Sequence, residues 1–257
     1  MIDNHVHIGQ YEEIYYDPLE IIQTIMESGV EGLAFSSTTT CKELVSYKEI
    51  EKEIAGLLGK MSYSIDVVQP YFWFIPAFIM QGITIEKAMS NLPYKGIKLH
   101  PFAHRWNFDN EMQIIALEEI FNYAQDNNMP ILLHTGDDTI VETLKICNIL
   151  KNYNNLVIIL AHSRPLDLII KQLEDNKNAY CDTAFVSIEN IKKIIRKELK
   201  QRILLGSDFP ITHWYSRNYP QNSEDSDVSL HEQYRKDFLK MKKIEKLINF
   251  KKGEIKI

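Results

Sequence analysis

The sequence lacks the features that would tie it to an oxidising compartment or to a membrane. Its three cysteines, Cys41, Cys147 and Cys181, are widely spaced and form no CxxC pair. A disulfide framework or a zinc finger is therefore not expected. No stretch reaches the ~18 consecutive apolar residues of a membrane helix. The start, MIDNH, has neither a basic nor an apolar signal region, so we expect a cytoplasmic protein with no membrane partner.

Basic residues and glycines are also scarce. The 29 Lys and Arg residues are outnumbered by 35 Asp and Glu residues, and the net charge of −6 gives no electrostatic basis for nucleic-acid binding. The ten glycines include neither a GxGxxG nor a GxxxxGK[ST] pattern, which argues against a dinucleotide fold or a P-loop fold. A small-molecule substrate is the partner that remains.

Short apolar runs alternate with amphipathic stretches along the whole chain. Such alternation predicts βαβ units with a parallel sheet buried on both faces. Eight runs in 257 residues predict an α/β protein with a (β/α)₈ TIM barrel, as a single domain over residues 1–257. A doubly wound open sheet is the alternative, and the missing phosphate loop counts against it. The predicted strands are 2–8, 30–37, 71–79, 96–101, 130–136, 156–163, 179–185 and 202–210.

Helical spacing of apolar residues marks several of the intervening stretches. One helix is predicted to begin at Pro18 after an Asp17 cap and to end at Gly29. The polar stretch 212–229 predicts a long loop that could cover an active site. Further helices are predicted in 109–128, 137–153 and 187–201.

Two histidines separated by one residue lie at the front of the first predicted strand. Residues i and i+2 of a strand point to the same face, so His5 and His7 are expected to project together. Imidazole is the commonest metal ligand in proteins. The pair therefore predicts half of a metal site.

Polar, chemically active side chains end most of the other predicted strands. In a parallel barrel all of these ends open onto one face, where the active site is built. A metal held there by nitrogen and oxygen ligands would activate water and polarise a carbonyl. A nearby carboxylate would move the proton, and a histidine would stabilise the developing oxyanion. The residues at these ends are Lys98, His100, His134, His162 and Asp208.

The ordered set of motifs resembles the amidohydrolase superfamily of metal-dependent TIM-barrel hydrolases. GIKLHP, LAHS, YCDTA and LLGSDFP look most like its amidohydrolase-2 branch, over residues 3 to about 210. The resemblance implies one divalent metal, with Asp208 also as the proton shuttle and His162 as a catalytic residue or a ligand of a second metal. Zinc is the expected metal, with manganese or iron as alternatives. The ligands implied for the first metal are His5, His7, His134 and Asp208.

Lys98 and His100 share one face of the fourth predicted strand. In some members of the superfamily a lysine on this strand is carboxylated and bridges two metals. We favour an ordinary amine for Lys98, which could bind a substrate carboxylate. His100 either lines the pocket or holds its loop.

Arginines in the loops of the same face predict an anionic substrate, because a guanidinium binds a carboxylate or phosphate through two hydrogen bonds. Arg164 in AHSRP is closest to the expected metal, and Arg105 follows the fourth strand. Helix capping or surface ion pairs are the alternative for each arginine. Asp182 is expected to orient a neighbouring metal ligand.

The predicted function is hydrolysis of a C–N or C–O bond in a small anionic amide, lactone or ester. A decarboxylase of the aminocarboxymuconate-semialdehyde decarboxylase type would use the same metal site and is the first alternative. A TatD-like nuclease is the second, although that resemblance would want a Glu at the end of the fourth strand. A binding barrel without catalysis is a further alternative, and the complete ligand set counts against it. Barrels often form homodimers, but the sequence leaves the oligomeric state open.

Overall fold

The computed structural model describes residues 1–136, 140–221 and 227–249. The predicted helix start at 137–139 and part of the predicted loop at 212–229 lie outside these ranges. The strands are β1 (Ile2–Tyr11), β2 (Ile14–Tyr16), β3 (Gly32–Ser37), β4 (Val68–Trp73), β5 (Gly96–Leu99), β6 (Ile131–His134), β7 (Ile158–Ala161), β8 (Ala179–Asp182) and β9 (Ile203–Leu204). The helices are α1 (Pro18–Glu27), α2 (Tyr47–Leu58), α3 (Pro76–Met80), α4 (Ile85–Ser90), α5 (Glu111–Asp126), α6 (Ile140–Leu150), α7 (Leu166–Asp175), α8 (Ile188–Arg196), α9 (Ile211–Asn218) and α10 (Leu230–Asn249).

The strands form one sheet that closes on itself. The order β1-β3-β4-β5-β6-β7-β8-β9 is parallel throughout, and β2 pairs antiparallel with the outer end of β1. The segment that begins at β9 returns to β1, where Asn4 N donates to Leu205 O and Asp208 N donates to His5 O, both at 2.8 Å. The predicted TIM barrel is confirmed.

Two apolar cores lie on the two sides of the barrel wall. The larger core fills the space between the strands and the surrounding helices. The smaller core lies inside the barrel and contains Ala34, Tyr71, Leu132, Ile159 and Ala161. Because side chains alternate along a strand, the interior residue two positions later lies one layer higher. This spacing places Trp73 above Tyr71, and His134 above Leu132.

One glycine makes room for a ring of the inner core. A Cβ on Gly96 would lie 2.6 Å from the Tyr71 ring, far inside van der Waals contact. The missing side chain lets the Tyr71 ring cross the barrel beneath Lys98, which stands two residues further along β5. A substitution by alanine there would force the ring to move.

The first helix begins as the sequence predicts. The Asp17 side chain accepts hydrogen bonds from the backbone N–H groups of Leu19 and Glu20, and Pro18 occupies the first turn. Proline suits this position because its missing N–H would have no partner inside the helix. The cap fixes the point at which the chain leaves the β1–β2 hairpin.

Two local predictions are wrong. The run 71–79 is not one strand, because β4 ends at Trp73 and α3 begins at Pro76, where the fixed φ of proline suits a first helical turn. Residues 211–218 form α9 rather than the start of a long loop. Its buried Ile211 and His213 supply an inner face that the polar composition of the stretch concealed.

Among the described residues, no helix is both long enough and apolar enough to cross a bilayer.

Candidate metal centre

The carboxyl ends of the strands bring the predicted side chains to one end of the barrel. His5 and His7 stand on β1, Lys98 on β5 and His134 at the end of β6. His162 follows β7 directly, and Asp208 lies four residues beyond Leu204, the last residue of β9. All but His134 are buried, with an exposed fraction of 5% or less, and His134 is intermediate. The site is thus a set of polar groups withdrawn from water.

Three of these side chains meet at one point. His7 Nε2 lies 2.9 Å from Asp208 Oδ1, and His5 Nε2 lies 3.1 Å from the same oxygen. The two Nε2 atoms are themselves 3.1 Å apart. Ligand atoms about 2.1 Å from a common metal lie about 3 Å from one another. The spacing of His5, His7 and Asp208 matches that requirement.

The orientation of His5 is fixed by Asp182. His5 Nδ1 lies 2.6 Å from Asp182 Oδ2, which places the proton on Nδ1 and leaves the lone pair of Nε2 facing His7 and Asp208. Burial, and next the charge of Lys98, lower the pKa of His5 well below its ordinary value. His5 is therefore a neutral imidazole, the form that binds metals. A carboxylate on the far nitrogen of a metal-binding histidine is a recurrent arrangement.

His7 offers its Nε2 in the same way. Its Nδ1 lies 3.4 Å from the Ser36 carbonyl oxygen and 3.1 Å from the Ser36 hydroxyl. A carbonyl oxygen can only accept a hydrogen bond, so this contact favours a proton on Nδ1 and a lone pair on Nε2.

Asp208 supplies the negative charge of the cluster. Two nitrogen lone pairs and a carboxylate oxygen therefore converge on one point. Three acceptors at such distances repel one another unless a cation lies between them. These three ligand atoms thus fit a divalent metal ion.

His162 stands between this cluster and His134. Its backbone N–H donates to Asp182 Oδ1 at 2.7 Å, and its ring Nε2 lies 3.0 Å from His134 Nδ1. Nδ1 of His162 is buried and has no hydrogen-bond partner within the described residues. His5, His162 and Asp182 form a second group whose ligand atoms all lie within 4.8 Å of one another. An unpartnered imidazole nitrogen in such a group can receive a metal or a substrate proton.

His134 does not join the cluster of His5, His7 and Asp208 in the structure. Its ring stacks on His100, with centroids 3.5 Å apart, and its Nδ1 faces His162. Among the described residues, His134 belongs to neither of the two groups that could hold a metal ion. The structure thus assembles three of the four predicted ligands and places the fourth beyond His162.

Lys98 contacts the centre through its side-chain nitrogen. Nζ lies 3.2 Å from His5 Nε2 and 5.5 Å from the centroid of the Trp73 ring. Burial lowers the pKa of Lys98 to about 8, against the opposing charges of Asp208 and Asp182. His100 stacks between Trp73 and His134 and lines the cavity above the centre. Both residues thus lie where the sequence placed them.

The backbone near the centre is strained. His162, Asp208 and Phe185 have φ angles of 68°, 62° and 56°, in the left-handed region that residues other than glycine seldom adopt. Each follows the end of a barrel strand. Such conformations persist where the surrounding structure enforces them, and they concentrate at functional sites.

The two predicted arginines lie in different places. Arg164 lines the cavity of about 500 Å³ that opens above the centre. Arg105 lines a neighbouring cavity with Pro101 and Trp106 and is not among the residues around the centre. Of the two arginines, the structure therefore brings Arg164 to the cavity over His5, His7 and Asp208.

Several aromatic side chains around this cavity escaped the sequence prediction. Phe72 and Phe74, in the predicted strand 71–79, are buried in the larger core. Trp73 faces the other way and lines the cavity, together with Phe185. The strand alternation carries the signal for Trp73, which follows the interior residue Tyr71 by two positions. No comparable signal marks Phe185, because it stands in a loop. Tyr11, Phe102 and Tyr215 also line the cavity.

Solved structures share this fold at low sequence identity. A TatD homologue from Escherichia coli matches with a TM-score of 0.61 and 15% identity over 95% of this chain and 89% of its own. A lactonase from Listeria monocytogenes matches with a TM-score of 0.59 and 14% identity over 96% and 90% of the two chains. A phosphotriesterase homology protein from Escherichia coli, solved with phosphate in its active site, gives 0.54 and 12% over 91% and 97%.

The sequence itself matches no protein-family model and no curated protein. At these identities the structural likeness establishes a common barrel architecture.

Proposed function

We propose that this protein is a metal-dependent hydrolase of the amidohydrolase superfamily, with residues 1–257 as one domain. Its substrate would be a small anionic amide, lactone or ester, cleaved at a C–N or C–O bond. The observation that carries the proposal is the convergence of His5 Nε2, His7 Nε2 and Asp208 Oδ1 within 2.9–3.1 Å at the carboxyl end of the barrel. Similar structures described as a lactonase and an amidohydrolase support it.

His5, His7 and Asp208 would hold the metal, with His162 or His134 as the further ligand. Their nitrogen and oxygen donors suit zinc, and manganese is the alternative. A divalent ion bound there supplies a Lewis acid that lowers the pKa of water and polarises a carbonyl.

The surrounding residues would transfer protons or bind the substrate. Asp208 has a second carboxylate oxygen with which to take the proton of the attacking water and return it to the leaving nitrogen or oxygen. His162 and Lys98 line the same cavity and could donate to the oxyanion that develops on the carbonyl. The exposed guanidinium of Arg164 would bind a carboxylate of the substrate.

The charge of the molecule favours hydrolysis of a small substrate over hydrolysis of nucleic acid. Phosphate-backbone binding needs several Lys or Arg side chains along a groove. The described cavity is lined by one exposed arginine and by the buried Lys98, in a chain of net charge −6. Decarboxylation would use the same metal ligands and is separated from hydrolysis by its product.

The test is a screen of zinc-loaded and manganese-loaded protein against lactones, N-acyl amino acids and aromatic carboxylates. Acid release and carbon dioxide release are followed separately. We expect acid release that disappears in a His5→Ala/His7→Ala variant and persists in His231→Ala, which removes an exposed imidazole on α10. Release of carbon dioxide alone would replace the hydrolase with the decarboxylase. Activity that survives loss of both β1 histidines would contradict both functions.

A further inference from the structure

Aromatic side chains at the mouth of the cavity face solvent. Phe102, Phe185 and Tyr215 line the cavity and are 54%, 38% and 44% exposed. Large apolar groups are normally withdrawn from water, and their exposure around one cavity marks a binding surface. The sequence-based expectations gave none of these three residues a role.

The backbone conformation of Phe185 is not explained by burial of its side chain. Its φ of 56° is unfavourable for a bulky side chain, and its partly exposed ring returns little burial. The strain holds the ring 5.9 Å from the His162 imidazole and 5.4 Å from Tyr215, measured between centroids. The backbone therefore adopts a costly conformation that keeps an aromatic ring beside a site residue.

The Phe185 ring also stands between two spaces. It lines the cavity above the metal ligands and a second cavity of about 600 Å³ on the α9 and α10 side. Tyr215 is shared by the same two cavities. The two rings together separate the two cavities.

We propose that Phe185, with Tyr215 beside it, determines substrate specificity by stacking on a planar, apolar group next to the hydrolysable bond. The inference rests on the proposed function, since it assigns the substrate class of the same cavity. With Arg164 on the same cavity, the substrate class is an anion that carries an aromatic or conjugated ring. Flat rings gain from stacked or edge-to-face contacts that puckered rings of similar size cannot make.

The test compares benzoate with cyclohexanecarboxylate, which have the same charge and similar size but differ in planarity. Calorimetric titration of zinc-loaded protein should give about 3- to 10-fold tighter binding of benzoate. A Phe185→Gly variant should bind the two ligands almost equally, while its Tm stays the same or rises because glycine tolerates the backbone angle. Phe185→Tyr should keep the preference. Tyr15→Leu should also keep it, because Tyr15 is exposed and lines a different cavity.

Equal binding of the two ligands by the unmodified protein, or binding of neither, would overturn the proposal. So would a preference that survives in Phe185→Gly. The readout is binding and needs no turnover. The protein could show a benzoate preference that depends on Phe185 and yet hydrolyse nothing in the screen. That result would support the specificity role of Phe185 and contradict the proposed hydrolase function. Hydrolysis without ring preference would do the reverse.

Discussion

The barrel interior has two layers that lie two residues apart along the same strands and obey different rules. The lower layer holds Tyr71 and Leu132, which only fill space. The upper layer, two positions later, holds Trp73 and His134, together with Lys98. One layer is stabilised by apolar packing, whereas the other withdraws the amine of Lys98 from water, which costs free energy.

The fold requires the lower layer for its stability, whereas the proposed function requires the upper layer. A substitution in the lower layer should cost stability and spare the chemistry. A substitution in the upper layer should do the opposite, because proteins commonly give up stability at active sites. That division is tested by Asp208→Asn, Leu132→Ala and Asp182→Asn, whereas Asp237→Asn tests a carboxyl outside the barrel interior.

The largest effect is expected for Asp208→Asn. Asparagine keeps the size of the side chain and tolerates the left-handed backbone at this position, but it removes the charge and the proton acceptor. We expect kcat/KM to fall about 1,000-fold or more, with Tm unchanged or raised. A variant that loses its fold rather than its activity would place Asp208 among the structural residues.

Leu132→Ala tests the lower layer. Removing a buried leucine side chain should lower the free energy of unfolding by about 2–5 kcal/mol, while metal content and KM stay the same. Leu144→Ala is the matched control, since Leu144 is 43% exposed and should change stability by less than about 1 kcal/mol. If Leu132→Ala lost its metal at temperatures where the variant is folded, the two layers would not be independent of each other.

Asp182→Asn tests the support of the metal ligands. Asparagine would present either an N–H donor or a neutral oxygen to His5 Nδ1. The carboxylate that holds the proton on His5 Nδ1 would be absent. We expect the metal Kd to rise about 10- to 100-fold, measured by competition with a chromogenic chelator. The exposed Asp175→Asn variant should match the unmodified protein. An unchanged Kd for Asp182→Asn would mean that packing alone orients His5.

The smallest effect concerns a half-buried carboxyl, that of Asp237, outside the barrel interior. Burial raises the pKa of Asp237 to about 7 from 3.8, although Thr212 and Gln233 donate hydrogen bonds to it. The folded protein therefore keeps a proton that the unfolded chain releases near pH 4, so this group lowers stability as the pH rises from 4 to 7. Asp237→Asn should exceed the unmodified protein in stability at pH 8 by about 1 kcal/mol or more, and match it near pH 4.

Urea unfolding at the two pH values measures this difference. Asp3, whose pKa burial raises to about 6, titrates in both proteins, and its charge is one of the smaller causes that raise the pKa of Asp237. Parallel stability profiles for the two proteins would contradict the assignment to Asp237.

Much of the fold and part of the centre could be predicted because strand periodicity is a local property. The alternation that puts His5 and His7 on one face also puts every strand end at one mouth. The position of His134 could not be predicted, since its ring stacks on His100 of the neighbouring strand segment and turns to His162. Such side-chain orientation depends on contacts between distant residues. Phe185 was missed for a related reason, because its backbone strain appears only in three dimensions.

Loop content was the least predictable part of the chain. The polar composition of residues 212–229 indicated a loop, whereas 211–218 form α9. Burial of Ile211, Thr212 and His213 stabilises this helix, and His213 lies 3.1 Å from both the Tyr16 hydroxyl and the Val228 carbonyl oxygen. Tertiary contacts therefore override a local composition that favours turns.

The most direct test of the metal centre is elemental analysis of the unmodified protein and of the His5→Ala/His7→Ala variant, each exposed to zinc and then desalted. The account predicts about one zinc per chain in the first and close to none in the second, with His231→Ala as the control that keeps its metal. Equal metal content in all three proteins, or none in any, would contradict the central claim that the β1 histidines and Asp208 form a metal site.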